Sequence, residues 1–166
     1  MILWGYHVIQ PPHTHLAQLN VARLLDDIDS PRLASFRAAL DPVNALAERS
    51  PGFVWRLQSD SGNATDITVS DDKRFIVNMS VWETPAHLEQ FVWNTVHARV
   101  YEKKGKWMET MATPHLALWW VPVGHRPDTD EAMARLARLT AEGPSAHVFG
   151  WESLPNVKLW MSKRCA

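Results

Sequence analysis

The chain has 166 residues, 17 basic and 18 acidic side chains and a formal net charge of -1. It is therefore sized for one domain with a substantial core, and it has no net field to gather nucleic acid or an anionic membrane. Its single cysteine, Cys165, excludes an internal disulfide and a thiolate metal cluster. The first residues carry neither a basic leader nor the run of roughly 18 apolar residues that a membrane span needs, so a cytoplasmic protein is expected. Nine tryptophans stand against two tyrosines. A buried indole needs a partner for its N–H as well as apolar walls, so this excess points to a pocket or an interface.

Residues 1–12 end in Gln10-Pro-Pro and read as an extended lead-in. From His15 to Leu24 the character alternates, with His15, Ala17, Leu19 and Val21 on one side and Leu16, Gln18 and Asn20 on the other, which predicts a first strand. Ser30-Pro31 signals a helix start, and the apolar spacing that follows predicts a helix over 31–49, bent or interrupted at Pro42. Phe53 to Gln58 reads as strand two, with Phe53, Trp55 and Leu57 together on one side, and a long polar connection leads to strand three at Phe75–Glu83.

Thr84-Pro85 changes the period from two to 3.6, because Thr is a good N-cap and Pro suits the first helical position. In the helix that follows, Leu88, Phe91, Val92, Thr95, Val96 and Arg99 share a packing face, and Trp93, His97, Val100 and Lys104 form a second stripe. Lys103-Lys-Gly-Lys is a weak point before Trp107. Strand four is Leu116–Pro122, and Asp128 or Thr129 starts a third helix that ends before Gly143-Pro144. The order βαββαβα predicts an α+β, ferredoxin-like antiparallel four-stranded sheet with helices on one face. A second copy of the chain is the economical cover for the other face, so a homodimer is expected. The domain is assigned to 13–150, and 151–166 is a tail packing on the body or on the partner subunit.

Several stretches carry a family likeness: Pro51-Gly-Phe-Val-Trp-Arg-Leu, Ile76-Val-Asn-Met-Ser-Val-Trp-Glu, His97-Ala-Arg-Val and Pro114-His-Leu-Ala-Leu-Trp-Trp-Val-Pro-Val-Gly-His-Arg-Pro. From His15 to Pro127 the chain resembles the bacterial domain-of-unknown-function family 3291, a branch of the dimeric α+β barrel superfamily. That superfamily also holds antibiotic-biosynthesis monooxygenases, polyketide cyclases and haem-binding enzymes. The resemblance implies a cavity between the sheet and its helices and a dimer formed through the sheets' other faces. Matching positions are Trp55, Arg56, Asn78, Trp82, His97, Trp107, His115, Trp119, Trp120 and His125. The lead-in up to Pro12 and the tail after Trp151 look particular to this chain.

His97 is the candidate acid or base, since an imidazole titrates near neutrality and aromatic neighbours can shift it; the alternative is a histidine bonded across a helix–sheet contact. His115 either acts directly or fixes a strand edge, and His125 braces its turn. No histidine pair has zinc spacing with an accompanying acid, so no metal is expected. With Asn78 and Arg56 as oxyanion stabilisers, and Trp55, Trp82, Trp93, Trp107, His115, Trp119 and Trp120 as walls, a chamber for a small hydrophobic or aromatic molecule results. Arg56 is either a carboxylate or enolate clamp or a structural ion pair. Three functions compete. The first is a cofactor-independent monooxygenase or cyclase acting on an aromatic or polyketide-like substrate; the second is a haem enzyme with His97 or His115 as axial ligand; the third is a non-catalytic small-ligand binder.

Overall fold

The computed structural model describes residues 7–95, 99–100 and 102–164. Its strands are β1 (Thr14–Arg23), β2 (Phe53–Arg56), β3 (Phe75–Trp82) and β4 (Leu116–Pro122), and its helices are α1 (Ala34–Arg49), α2 (Pro85–Asn94), α3 (Thr129–Glu142) and the short α4 (Leu159–Arg164). The four strands form one antiparallel sheet in the order β2-β3-β1-β4. The architecture is α+β and ferredoxin-like, as the element order predicts. No helix among the described residues is long and apolar enough to cross a membrane.

Period-two alternation sorts the strand side chains onto two faces. On one face Ala17, Leu19, Val21, Val77, Met79, Val81, Ala117, Trp119 and Val121 join Ala132, Leu136 and Leu139 of α3 in a single core. On the other, Leu16, Trp82 and Leu118 pack against Ala47 of α1, Leu88 and Phe91 of α2 and Phe149, Trp151, Leu154 and Val157 of the tail. Helices on one face therefore describes α1 and α2, while α3 covers the reverse face. Leu57, Val69, Phe75 and Met111 pack over that reverse face as well. Leu19, Val21, Met79 and Val81 are already at most 1% exposed within one chain. The bare apolar face that motivated the expected homodimer is thus filled by the chain itself.

Three local departures from the sequence reading have physical causes. Phe53 lies opposite Trp82 but Trp55 lies opposite Val81, so one extra residue is inserted in β2. This bulge sends Phe53 to the α1/α2 face and Trp55 and Leu57 to the reverse face, rather than all three to one side. Pro42 sits inside α1 without ending it, and it is exposed. The continuous second helix is also shorter than its pattern: α2 stops at Asn94 and Thr95 is extended at φ -120° and ψ -174°. The Thr95 hydroxyl donates back to the Phe91 carbonyl, a local bond that competes with helix continuation. Trp93 and Val100 accordingly do not share one unbroken helical stripe.

The helix starts follow the predicted chemistry. Thr84 Oγ1 accepts from the His87 N–H at 3.3 Å with Pro85 next in line, and Asp128 Oδ1 accepts from the Glu131 N–H at 2.8 Å. Val8 N–H donates to the Ser153 carbonyl at 2.9 Å, and Phe149 exchanges two backbone bonds with Leu118 on the outer edge of β4. Glu89 of α2, 7% exposed, accepts the Leu159 N–H at 2.9 Å and so holds the first turn of α4.

Two stability predictions follow from these contacts. Gly52 has φ +77°, and a Cβ there would overlap the His87 ring, whereas at Gly62 (φ +84°) a Cβ meets nothing within 4 Å. Gly52→Ala should therefore cost about 2–4 kcal/mol in urea unfolding, and Gly62→Ala about 1–2 kcal/mol. Burial raises the Glu89 carboxyl above its ordinary value, against the lowering effects of the Leu159 and Lys158 backbone N–H groups and the Lys158 charge. A raised folded-state value means that the folded chain holds this proton more tightly than the unfolded chain. The associated stability is complete below the unfolded glutamate pKa of about 4.3 and is lost as pH rises through the folded value. Glu89→Gln, measured by denaturant unfolding from pH 4 to 8, should flatten that decline and leave the protein more stable than the parent at neutral pH.

Candidate functional site

On the face that carries α1 and α2, strand register arranges the side chains in rows. The first row is apolar, with Phe53 opposite Trp82, Trp82 opposite Leu16 and Leu16 opposite Trp120. The second row runs Arg56, Ser80, Gln18 and Leu118, and the third runs Asn78, Asn20 and Leu116. Ile76 and Ala22, apolar again, form the fourth. Alternate residues on a strand are about 7 Å apart, so two polar rows make a band several ångströms wide across three strands. Amides and hydroxyls in a half-buried sheet face are costly unless they are bonded to one another or to a ligand.

Inside the band the bonding is internal and economical. Gln18 Nε2 donates to Asn78 Oδ1 at 2.9 Å and to Ser80 Oγ at 3.0 Å. The same Ser80 oxygen accepts the Trp82 indole N–H at 2.8 Å. Gln18 and Ser80 are each 7% exposed, whereas Asn78 is exposed, so the band opens to solvent at Asn78. With its oxygen occupied by Gln18, Asn78 keeps an Nδ2 donor group that has no partner among the described residues. Arg56, whose side chain is 13% exposed, donates from Nε to Glu48 Oε1 of α1 at 2.8 Å and from Nη2 to Gln58 Oε1 at 3.2 Å. It is therefore held in an ion pair, and strand register sets it opposite Ser80.

The tryptophans do not converge on one chamber. Trp82 and Trp120 belong to the apolar cluster on one side of the band, and Trp107 belongs to a separate cluster with Leu33, Phe36 and Ile76 on the other. Trp55 and Trp119 point to the reverse face, where Trp119 is fully buried and donates to Glu131 Oε1 at 3.0 Å. Trp93 is buried on α2. Trp82 is itself fully buried, stacked on Phe91 at 5.1 Å and met edge-on by Phe53 at 5.5 Å. It is packing material whose polar tip is fixed by the band. His97 lies outside the described residues. His115 is half-buried at the start of β4, and its carbonyl accepts the Val21 N–H at 2.9 Å. His125 is a turn brace, with Nε2 2.7 Å from Glu131 Oε2.

Gln18, Ser80 and Asn20 are the site residues that the sequence reading left out. Their signal was present: two polar residues on one face of an otherwise apolar β1, and Asn78 with Ser80 on the same face of β3. The apolar rows beside the band carry the Trp82–Phe91 and Phe36–Trp107 ring contacts at 5.1 and 5.6 Å. No group of three or more His, Cys, Asp or Glu side chains is placed to hold a metal ion among the described residues.

Three solved structures share similarity with this fold. PA3566 from Pseudomonas aeruginosa is 14% identical, covers 69% of this chain and 96% of its own, and superposes with a TM-score of 0.44. NE2512, a protein of unknown function from Nitrosomonas europaea, is 13% identical over 70% of this chain and 95% of its own, with a TM-score of 0.42. A Nitrosomonas europaea protein described as an antibiotic biosynthesis monooxygenase is 17% identical over 73% of this chain and 100% of its own, with a TM-score of 0.44. No curated protein matches the sequence. The domain of unknown function DUF3291 matches residues 15–165, which includes the tail after Trp151 that looked particular to this chain. The chain belongs to the DUF3291 family.

Proposed function

We propose that the protein is a small-molecule tailoring enzyme, a cofactor-independent monooxygenase or cyclase, that binds an aromatic or polyketide-like substrate over the polar band. The observation that carries this reading is the band itself: a row of amides and a guanidinium between two apolar rows, open at Asn78 and with a donor there to spare. Such a surface suits a flat apolar molecule with one oxygen to be recognised. If a proton is removed from a carbon conjugated with that carbonyl, either next to it or across an aromatic ring as in anthrone, negative charge moves onto the oxygen. Fixed donors aimed at that oxygen stabilise the charge more than they stabilise the neutral substrate, which is the requirement for catalysis.

In this proposal His97 takes the proton, Asn78 donates to the enolate oxygen, and Arg56 contributes its charge through the Ser80–Gln18 row. The resulting carbanion reacts with dioxygen in the monooxygenase version and with a second carbonyl of the same molecule in the cyclase version. For anthrone and dioxygen the balance closes without a cofactor. One oxygen atom becomes the new carbonyl of anthraquinone, and the other leaves as water with the two hydrogens of the oxidised carbon.

The test is dioxygen uptake and quinone absorbance with anthrone, set beside ligand binding followed by tryptophan fluorescence. Turnover should fall by about 10² to 10⁴-fold in His97→Ala and by about 10² to 10³-fold in Asn78→Leu, with binding weakened far less. Binding without any turnover in the parent protein would instead make it a small-ligand binder. Turnover untouched by Asn78→Leu would remove the band from the chemistry.

A further inference from the structure

A second concave site lies away from the polar band, between α1 and the stretch that includes Arg99, Val100 and the turn Lys104–Lys106. It encloses about 430 Å³ and is lined by Ser35, Ala39, Arg99, Val100, Lys103, Lys106 and Trp107. Two i, i+4 pairs face it, Ser35 with Ala39 on α1 and Arg99 with Lys103 opposite. Its floor is apolar: Trp107 is 4% exposed and packs with Val100 and Phe36. The indole is held in place by its N–H bond to Ser35 Oγ at 3.0 Å.

The rim is cationic. Of the eight residues from Arg99 to Lys106, four (Arg99, Lys103, Lys104 and Lys106) are basic and one (Glu102) is acidic, in a chain whose net charge is -1. Arg99, Lys103 and Lys106 are exposed, no acidic side chain lines the cavity, and none of the three has an ion-pair partner among the described residues. Three like charges gathered around one apolar hollow repel one another and attract an anion, while the indole and Val100 offer surface to a hydrophobic body. The volume falls within the range of about 300–1,000 Å³ usual for small-molecule sites.

We propose that this cavity binds a small amphipathic carboxylate, with its aromatic or aliphatic body on Trp107 and Val100 and its carboxylate between Arg99, Lys103 and Lys106. The site is separate from the polar band and does not rest on the reading given for it. A guanidinium and two ammonium groups can share one carboxylate, and Ser35 Oγ has a hydrogen left to donate after accepting from the indole.

The probe is 2-naphthoate, with the neutral 2-naphthylmethanol as its charge-free counterpart, titrated calorimetrically into the full chain. The naphthoate should bind the more tightly of the two and lose affinity as salt is raised, because exposed charges are screened. The triple variant R99Q/K103Q/K106Q, altered only at exposed positions, should lose about tenfold or more in naphthoate affinity and none in alcohol affinity. Arg138→Gln, a single-charge control on α3, should leave both unchanged. Ala39→Phe, which fills the hollow and keeps the charges, should weaken both ligands. Equal binding of naphthoate by the triple variant and the parent overturns the proposal, as does failure of the parent to bind it. Vesicles of phosphatidylglycerol form the third arm. Binding to them that naphthoate does not compete away would show the cations serving a lipid surface, and would also overturn it.

Discussion

The hydroxyl of Ser80 accepts two hydrogen bonds, one from the indole of Trp82 and one from the amide of Gln18. Much of the α1/α2 face depends on that atom. By fixing the indole it sets the plane against which Phe91 stacks and Phe53 abuts, and so the seat of α2 and of β2. By fixing the Gln18 amide it positions Asn78 at the open end of the band. One small polar group in the middle of a sheet thus couples the apolar packing on one side to the polar band on the other. The low dielectric around such a network makes each satisfied bond worth keeping and each orphaned one costly.

The two faces of β1 illustrate how one strand can serve two purposes. Ala17, Leu19 and Val21 are uniformly apolar and disappear under α3. Leu16, Gln18, Asn20 and Ala22, interleaved with them, change from apolar to polar and back within one face. The first set builds the core and the second supplies two polar members of the band. The reverse face is filled from within the chain, whereas the α1/α2 face is incompletely apolar.

Strand and helix positions were legible because they rest on short-range signals. Thr84-Pro85 and Asp128 begin α2 and α3 where capping chemistry places them, and β4 occupies Leu116–Pro122 as its alternation predicts. What the sequence did not reveal depends on registration between strands or on a single competing bond. The bulge in β2 reassigns Trp55 and Leu57 to the reverse face, and no local pattern announces it. Helical periodicity continues past Asn94, yet the helix stops where Thr95 turns extended and its hydroxyl bonds back to the Phe91 carbonyl. Tryptophan count suggested a shared chamber, but aromatic residues on opposite faces of a sheet cannot meet, and composition is blind to faces. Asn78 and Arg56, singled out in the sequence, both lie in the polar band. Gln18, Ser80 and Asn20 stood out in the sequence as polar residues on single strand faces, and register sets them side by side.

The insertion in β2 has one more effect. Phe149 meets the outer side of β4 at Leu118, and the sheet's other boundary is β2. That boundary is four residues long, kinked between Phe53 and Trp55, and ends in a charged arginine. A short, kinked and charged margin is a poor template for intermolecular pairing. The irregularity that divides the β2 side chains between the two faces thus also makes this margin of the sheet hard for a neighbouring chain to extend.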